Sequence, residues 1–79
     1  MVVAFTDDDW VTVAAGVLDG RHIRRYVRIP MANGQELLGE LLQVSRWPDV
    51  VLAYVREAGS DRAGLHMLLP GTPIKVVSR

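Results

Sequence analysis

The spacing of apolar and polar residues changes character along the chain. Between Asp7 and Leu18 the residues Trp10, Val13, Ala14, Val17 and Leu18 recur at helical spacing. Thr6 stands ahead of them as an N-cap, and Asp7, Asp8 and Asp9 fill a first turn where the helix dipole favours negative charge. Phe5 and Trp10 have the spacing of a hydrophobic staple, and Gly20 supplies a stop. The β-branched run Val11-Thr12-Val13 offers a strand reading of the same segment. The capping signals favour a short amphipathic helix over residues 7–18.

From His22 the period becomes two. Val27, Ile29 and Met31 point one way and Arg28 the other, which predicts a strand over residues 22–31. Pro30 cannot donate to a ladder, so it belongs on an unpaired side or near a bulge. Asn33-Gly34 signals a hairpin, and residues 35–45 follow as a second strand. Here both parities are apolar: Leu37 and Leu41 on one side, Leu38, Leu42 and Val44 on the other. That pattern implies cover on both faces, with the N-terminal helix as the natural lid. Gly39 in mid-strand permits a sharp bend or a close backbone approach. Trp47-Pro48 breaks the pattern. Strands then follow over residues 50–57, 65–69 and 74–78, separated by a polar loop and by the Pro70-Gly71-Thr72-Pro73 turn. The fold class that results is mainly β: an N-terminal short helix followed by a strongly bent five-stranded antiparallel small barrel, in a single domain over residues 1–79.

Size and composition bear on assembly more than on chemistry. A chain of 79 residues buries a limited fraction of its surface, and without cysteine it has neither disulfides nor thiolate metal sites as supplements. His22 and His66 have no ligand cluster around them, so no metal and no cofactor are expected. Self-association is the remaining supplement. It suits a chain that is 49% hydrophobic and only 23% charged. Nine basic residues balance nine acidic ones, so net charge points to no partner. Their distribution is uneven, with an acidic N-terminal segment followed by Arg21, Arg24, Arg25 and Arg28. These arginines suit either phosphate contacts or pairing with the acidic N-terminal segment or with a neighbouring subunit. No signal peptide and no apolar run of membrane-spanning length is recognisable, so a cytoplasmic protein with no membrane role is expected. Ser45, His22 and Asp49 are residue types of nucleophilic triads without a motif spacing, and Glu36 and Glu40 read as a solvated face. The chain is not expected to be an enzyme.

Read together, these residues resemble the Sm/LSm (Sm-like) family. Val27, Ile29 and Met31 lead into Asn33-Gly34; Gly39 and Leu41 follow at the family's separation; Leu52 holds its strand hydrophobe; Leu69-Pro70-Gly71-Thr72-Pro73-Ile74 is similar to its second motif. Generic SH3-like barrels share much of this pattern. The resemblance implies a cyclic homo-oligomer, a hexamer or heptamer, in which the fourth barrel strand of one subunit pairs with the fifth of the next. It also implies binding of single-stranded RNA, with Trp47 stacking on a base, Ser45 and Asp49 making polar contacts, and Gly71 allowing close backbone approach. Arg24 and Arg28 would then meet phosphates.

The family's recognition chemistry is altered at these positions. Ser45 stands where the family has Asp, Asp49 where it has Asn, and Pro70 where it has Arg. Asp49 brings a charged, acceptor-only group in place of an amide that donates and accepts. Two expectations therefore stand side by side: an Sm-like ring that binds single-stranded RNA weakly or with altered specificity, and an oligomeric scaffold or protein-interaction module of the same fold without RNA binding.

Overall fold

The period-two segments become strands, and so does the segment read as a helix. The computed structural model describes residues 5–78, and the apolar residues 1–4 lie outside it. Its strands are β1 (Trp10–Ala14), β2 (Tyr26–Pro30), β3 (Glu36–Arg46), β4 (Val51–Glu57), β5 (Ala63–Leu68) and β6 (Pro73–Val77). They form one antiparallel sheet in the order β1-β6-β2-β3-β4-β5, with β1 and β5 at its open edges. The sheet thus has six strands rather than the expected five and is not closed.

The expected helix over residues 7–18 is replaced by a 3₁₀ turn at Asp7–Asp9, strand β1, and a second 3₁₀ turn at Ala15–Val17. The capping signals were real but short in reach. Thr6 N donates to the Asp9 carboxylate at 2.9 Å, Asp9 N donates to Thr6 O at 3.0 Å, and Phe5 meets Trp10 edge-on at 5.5 Å. One 3₁₀ turn consumes all of this. Beyond it the β-branched run pairs along the full length of β6, from Trp10 opposite Val77 to Ala14 opposite Pro73. A helix there would leave that side of β6 without ladder partners, which is the stronger demand.

The start of the first barrel strand is also shorter than the expected 22–31. Gly20–His22 form a 3₁₀ turn capped by Asp19, whose carboxylate accepts from Arg21 N at 3.1 Å, while Asp19 N donates to His22 Nδ1 at 3.0 Å. Arg24 then takes a positive φ of 75°. Arg24 N donates to Leu41 O at 2.6 Å and Leu41 N donates to Arg25 O at 2.9 Å, so two residues face one across the ladder, as in a bulge.

A second bulge explains why both parities of β3 are apolar. The β3–β4 register passes from Leu41 opposite Val55 directly to Gln43 opposite Tyr54, leaving Leu42 extra. Before the bulge the odd residues Leu37 and Leu41 face the core, and after it Val44 does. Among the described residues no helix covers the outer face; the strand changes which parity it buries. Gly39 sits just before this bend, fully enclosed between β2 and β4.

The core is one cluster. Leu18, Val27, Ile29, Leu41, Val51, Ala53, Val55, Ile74 and Val76 are buried, joined by Ala15 and Leu68. Since the described residues include no long helix to cover a sheet face, the sheet curls over its own side chains, and the 3₁₀ turn with Ala15 and the following Leu18 closes one gap. That turn is tied down by Ala15 N to Thr72 O and Gly16 N to Pro70 O, both 2.8 Å. On the opposite face of β6, Val77 is buried outside this cluster, at the register position of Trp10.

Turn chemistry agrees with the sequence. Asn33-Gly34 makes the β2–β3 hairpin, with Gly34 at φ 84°, Gly34 N donating to Met31 O, and the Asn33 side chain accepting from Gln35 N at 3.0 Å. Pro30 ends β2 beyond its two-residue pairing with β6, where no ladder donor is required.

Candidate functional site

Strand alternation sets what the outer face of β3, β4 and β5 presents. Val51, Ala53 and Val55 point into the core, so Leu52 and Tyr54 point out. In register with them are Ser45 and Gln43 on β3 and Met67 and Leu65 on β5. The β3–β4 connection is a tight turn closed by Trp47 N donating to Val50 O at 2.8 Å. It places Trp47 and Asp49 at the end of the same face.

Two adjoining depressions result. One is lined by Gln43, Ser45, Leu52, Tyr54 and Leu65. The other, an open hollow of about 530 Å³, is lined by Trp47, Asp49, Val50, Leu52, Met67 and Leu69. Leu52 belongs to both. Ser45, Trp47 and Asp49, nominated from the sequence as one loop, thus do gather around a common surface. That surface is largely hydrocarbon. Trp47 is 51% exposed, Leu65 62%, Met67 75% and Leu69 69%, which is far from the environment these side chains favour in a folded chain. Among the described residues lining the two hollows, Asp49 is the only acidic or basic side chain charged at neutral pH.

The remaining nominated residues lie elsewhere. Gly71 occupies the β5–β6 turn, closed by Thr72 N donating to Leu69 O at 3.0 Å. A Cβ placed on it would meet nothing within 4 Å, so no close approach within the chain requires glycine there. Arg28 sits on β2 opposite Leu38, while Ser45 lies seven residues further along β3, roughly 20 Å away along the strand. Its guanidinium pairs with Glu36 and lies 5.4 Å from the centre of the Trp10 ring. Arg24 pairs with Glu40 at 3.4 Å.

Glu40 is shared. Its carboxylate also accepts from Arg56, and its side chain is only 16% exposed. The hydrogen bond from Arg56 chiefly, with that from Arg24 and the attraction of both charges, holds its pKa below the ordinary 4.5 despite the opposing effect of burial. Asp19 is likewise held below its ordinary value, chiefly by its hydrogen bond from Arg21. Pairing with the acidic N-terminal segment is seen at Arg21, with Asp19, whereas Arg24 and Arg28 pair with Glu40 and Glu36 of β3, which the sequence reading had not offered as partners.

Leu52, Tyr54, Leu65 and Met67 were not singled out from the sequence as site residues. Their signal was present in the alternation of β5, where Leu65, Met67 and Leu69 share a parity opposite to buried Leu68. Among the described residues no group of side chains is arranged to hold a metal ion, and no helix is long and apolar enough to cross a membrane. No protein-family model, curated protein or solved structure matches the chain.

Proposed function

We propose that this chain is a protein-interaction module on a strongly bent, small-barrel sheet of Sm-like or SH3-like type, that it is not an enzyme, and that it docks a partner on the Trp47 face. The make-up of that face carries the reading. Trp47, Val50, Leu52, Met67 and Leu69 form a continuous apolar hollow with a single charge, and that charge is negative.

Single-stranded RNA requires cations for its phosphates beside aromatics for its bases. Arg24 and Arg28, the cations nominated for that role, are each engaged by a carboxylate, Glu40 (shared with Arg56) and Glu36. Asp49 at the rim would repel a phosphate. Stacking on Trp47 alone would be worth about 1–3 kcal/mol, which leaves a complex in the weak millimolar range or below. A cyclic hexamer or heptamer joined through the fifth barrel strand would need the outer edge of β6, and β1 fills that edge.

The test is a polarisation titration of labelled oligouridine at low salt, alongside the ultraviolet absorbance ratio of the freshly purified protein. No polarisation change up to about 100 µM protein, a concentration at which even a weak complex of Kd near 10 µM would be evident, and a protein-only spectrum are expected. Saturable, salt-sensitive binding that disappears in Trp47→Ala would overturn the reading in favour of RNA recognition.

A further inference from the structure

The apolar face ends at a sheet edge that is itself open. Glu57 N donates to Arg62 O at 2.8 Å, which marks a hydrogen-bonded pair at the tip of the β4–β5 hairpin. Alternation along the ladder then makes Val55–Gly64, Ala53–His66 and Val51–Leu68 the bonded pairs. Ala63, Leu65 and Met67 therefore turn their N–H and C=O groups away from β4, and among the described residues nothing pairs with them. From Ala63 to Leu69 there is no Lys, Arg, Asp, Glu or Pro, the residues that usually protect an edge.

Resting on the reading of the Trp47 face as a protein-docking surface, we propose that the open β5 edge bordering that face takes a second copy of this chain, with β5 pairing antiparallel to β5 about a two-fold axis at Leu65. This register uses the three outward-facing residues in full. Leu65 faces its own copy, and Ala63 faces the second copy's Met67, a small residue against a large one. About six backbone hydrogen bonds result, two for each bonded pair. The two outer faces become one continuous apolar surface across the axis, and such a contact is self-complementary by construction. Nine positive and nine negative side chains leave no net charge to oppose association.

The area argues for strand and side chains acting together. The side chains brought together at the axis are the exposed parts of Leu65 and Met67, with Trp47 and Leu69 left on the open face, and they fall well short of the roughly 800 Å² per partner in a stable complex. The hydrocarbon alone is too small; the paired backbone and flanking side chains supply the rest. A micromolar rather than nanomolar dimer is the expected outcome.

The experiment is sedimentation equilibrium on the full chain over a range of concentrations up to about 100 µM, where a micromolar dimer is nearly complete. A mass of twice 8.8 kDa is expected. Leu65→Lys sets two ammonium groups across the axis and should weaken association about a hundredfold or more. Met67→Lys, at a side chain 75% exposed, gives a second disrupting variant that leaves the core untouched. Because the chain has no cysteine, Leu65→Cys introduces a single thiol. Across the axis the Cα atoms would be about 5.5 Å apart, inside the range a disulfide spans. Mild oxidation should link Leu65→Cys into dimers and leave Val11→Cys, on the other open edge, unlinked. A monomer at the highest concentration, a larger multiple, a dimer unaffected by both lysine variants, or linkage of Val11→Cys instead would each overturn the proposal. A monomer that still ignores oligouridine overturns the dimer and not the protein-docking reading; RNA binding overturns that reading whatever the mass.

Discussion

Gly39→Ala should be among the most damaging single-methyl changes in this protein. Gly39 is buried in β3, opposite Val27 on one side and Glu57 on the other. An added Cβ would lie 2.4 Å from Arg56 O, 2.6 Å from Val55 Cγ1 and 3.0 Å from Arg56 C. The closest of these is backbone of the neighbouring strand, which cannot rotate away. Overpacking a core by a methylene typically costs 1–3 kcal/mol, and a contact against backbone belongs at the upper end, about 3 kcal/mol. The φ of Gly39 is not positive, so alanine regains about 0.4–1 kcal/mol by restricting the unfolded chain. The net loss is about 2 kcal/mol, against a total stability on the order of 4–12 kcal/mol for a domain of this length. At about 4–8 °C per kcal/mol, the melting temperature should fall by roughly 8–16 °C. Thermal unfolding followed by far-ultraviolet circular dichroism measures this. Gly20→Ala is the internal control, since its Cβ would meet nothing within 4 Å and its melt should stay within about 3 °C of the parent. A Gly39→Ala protein that melts within that same margin would refute the claim that β3 and β4 approach too closely for a side chain.

Four further outcomes follow from the same geometry. Glu40 has a folded-state pKa below its unfolded value, so the unfolded chain binds the extra proton as pH falls through the acid range. Its stabilisation is therefore complete above the ordinary 4.5 and is lost on descending below it; urea midpoints across pH 6 to 3 should show a shallower acid loss in Glu40→Gln. Leu18→Ala removes a fully buried side chain that carries the 3₁₀ turn into the core, and should cost about 2–5 kcal/mol in urea unfolding. Arg28→Ala breaks a partly exposed ion pair and the contact over Trp10, worth together about 1 kcal/mol, and should shift indole emission. Trp47→Ala should leave stability within about 0.5 kcal/mol of the parent, because a half-exposed residue on a docking face contributes little to the isolated fold.

Legibility in the sequence tracked the range of the interaction involved. Asn33-Gly34, Pro30 and Gly39 were readable because their constraints are local: a positive φ, a missing donor, an absent Cβ. The β-rich class and the five strands β2 to β6 were readable from alternation, β-branched runs and turn signals. Both parities of β3 were apolar for a reason the pattern could not separate from two-sided burial, since one extra residue at Leu42 shifts the inward parity in mid-strand. Of the nominated site residues, Ser45, Trp47 and Asp49 were found together because they are neighbours in the chain. The carboxylate partners of Arg24 and Arg28, Glu40 and Glu36, come from across a hairpin, so these pairs were not legible along the chain.

The sequence by itself determined a small β protein without thiol chemistry, with its turns, its bend and its apolar alternation in place. These follow from propensities and from backbone limits that each residue carries wherever it sits. Only the tertiary structure decided the fate of residues 7–18. Their capping signals and their β-branched run are of similar strength locally, and the balance is tipped by β6, far along the chain, whose outer edge needs a ladder partner. The same pairing leaves β5 as an open edge beside exposed Leu65, Met67 and Trp47. An unpaired edge and an uncovered face are properties of what is missing from a sheet, and they exist only once the sheet has formed.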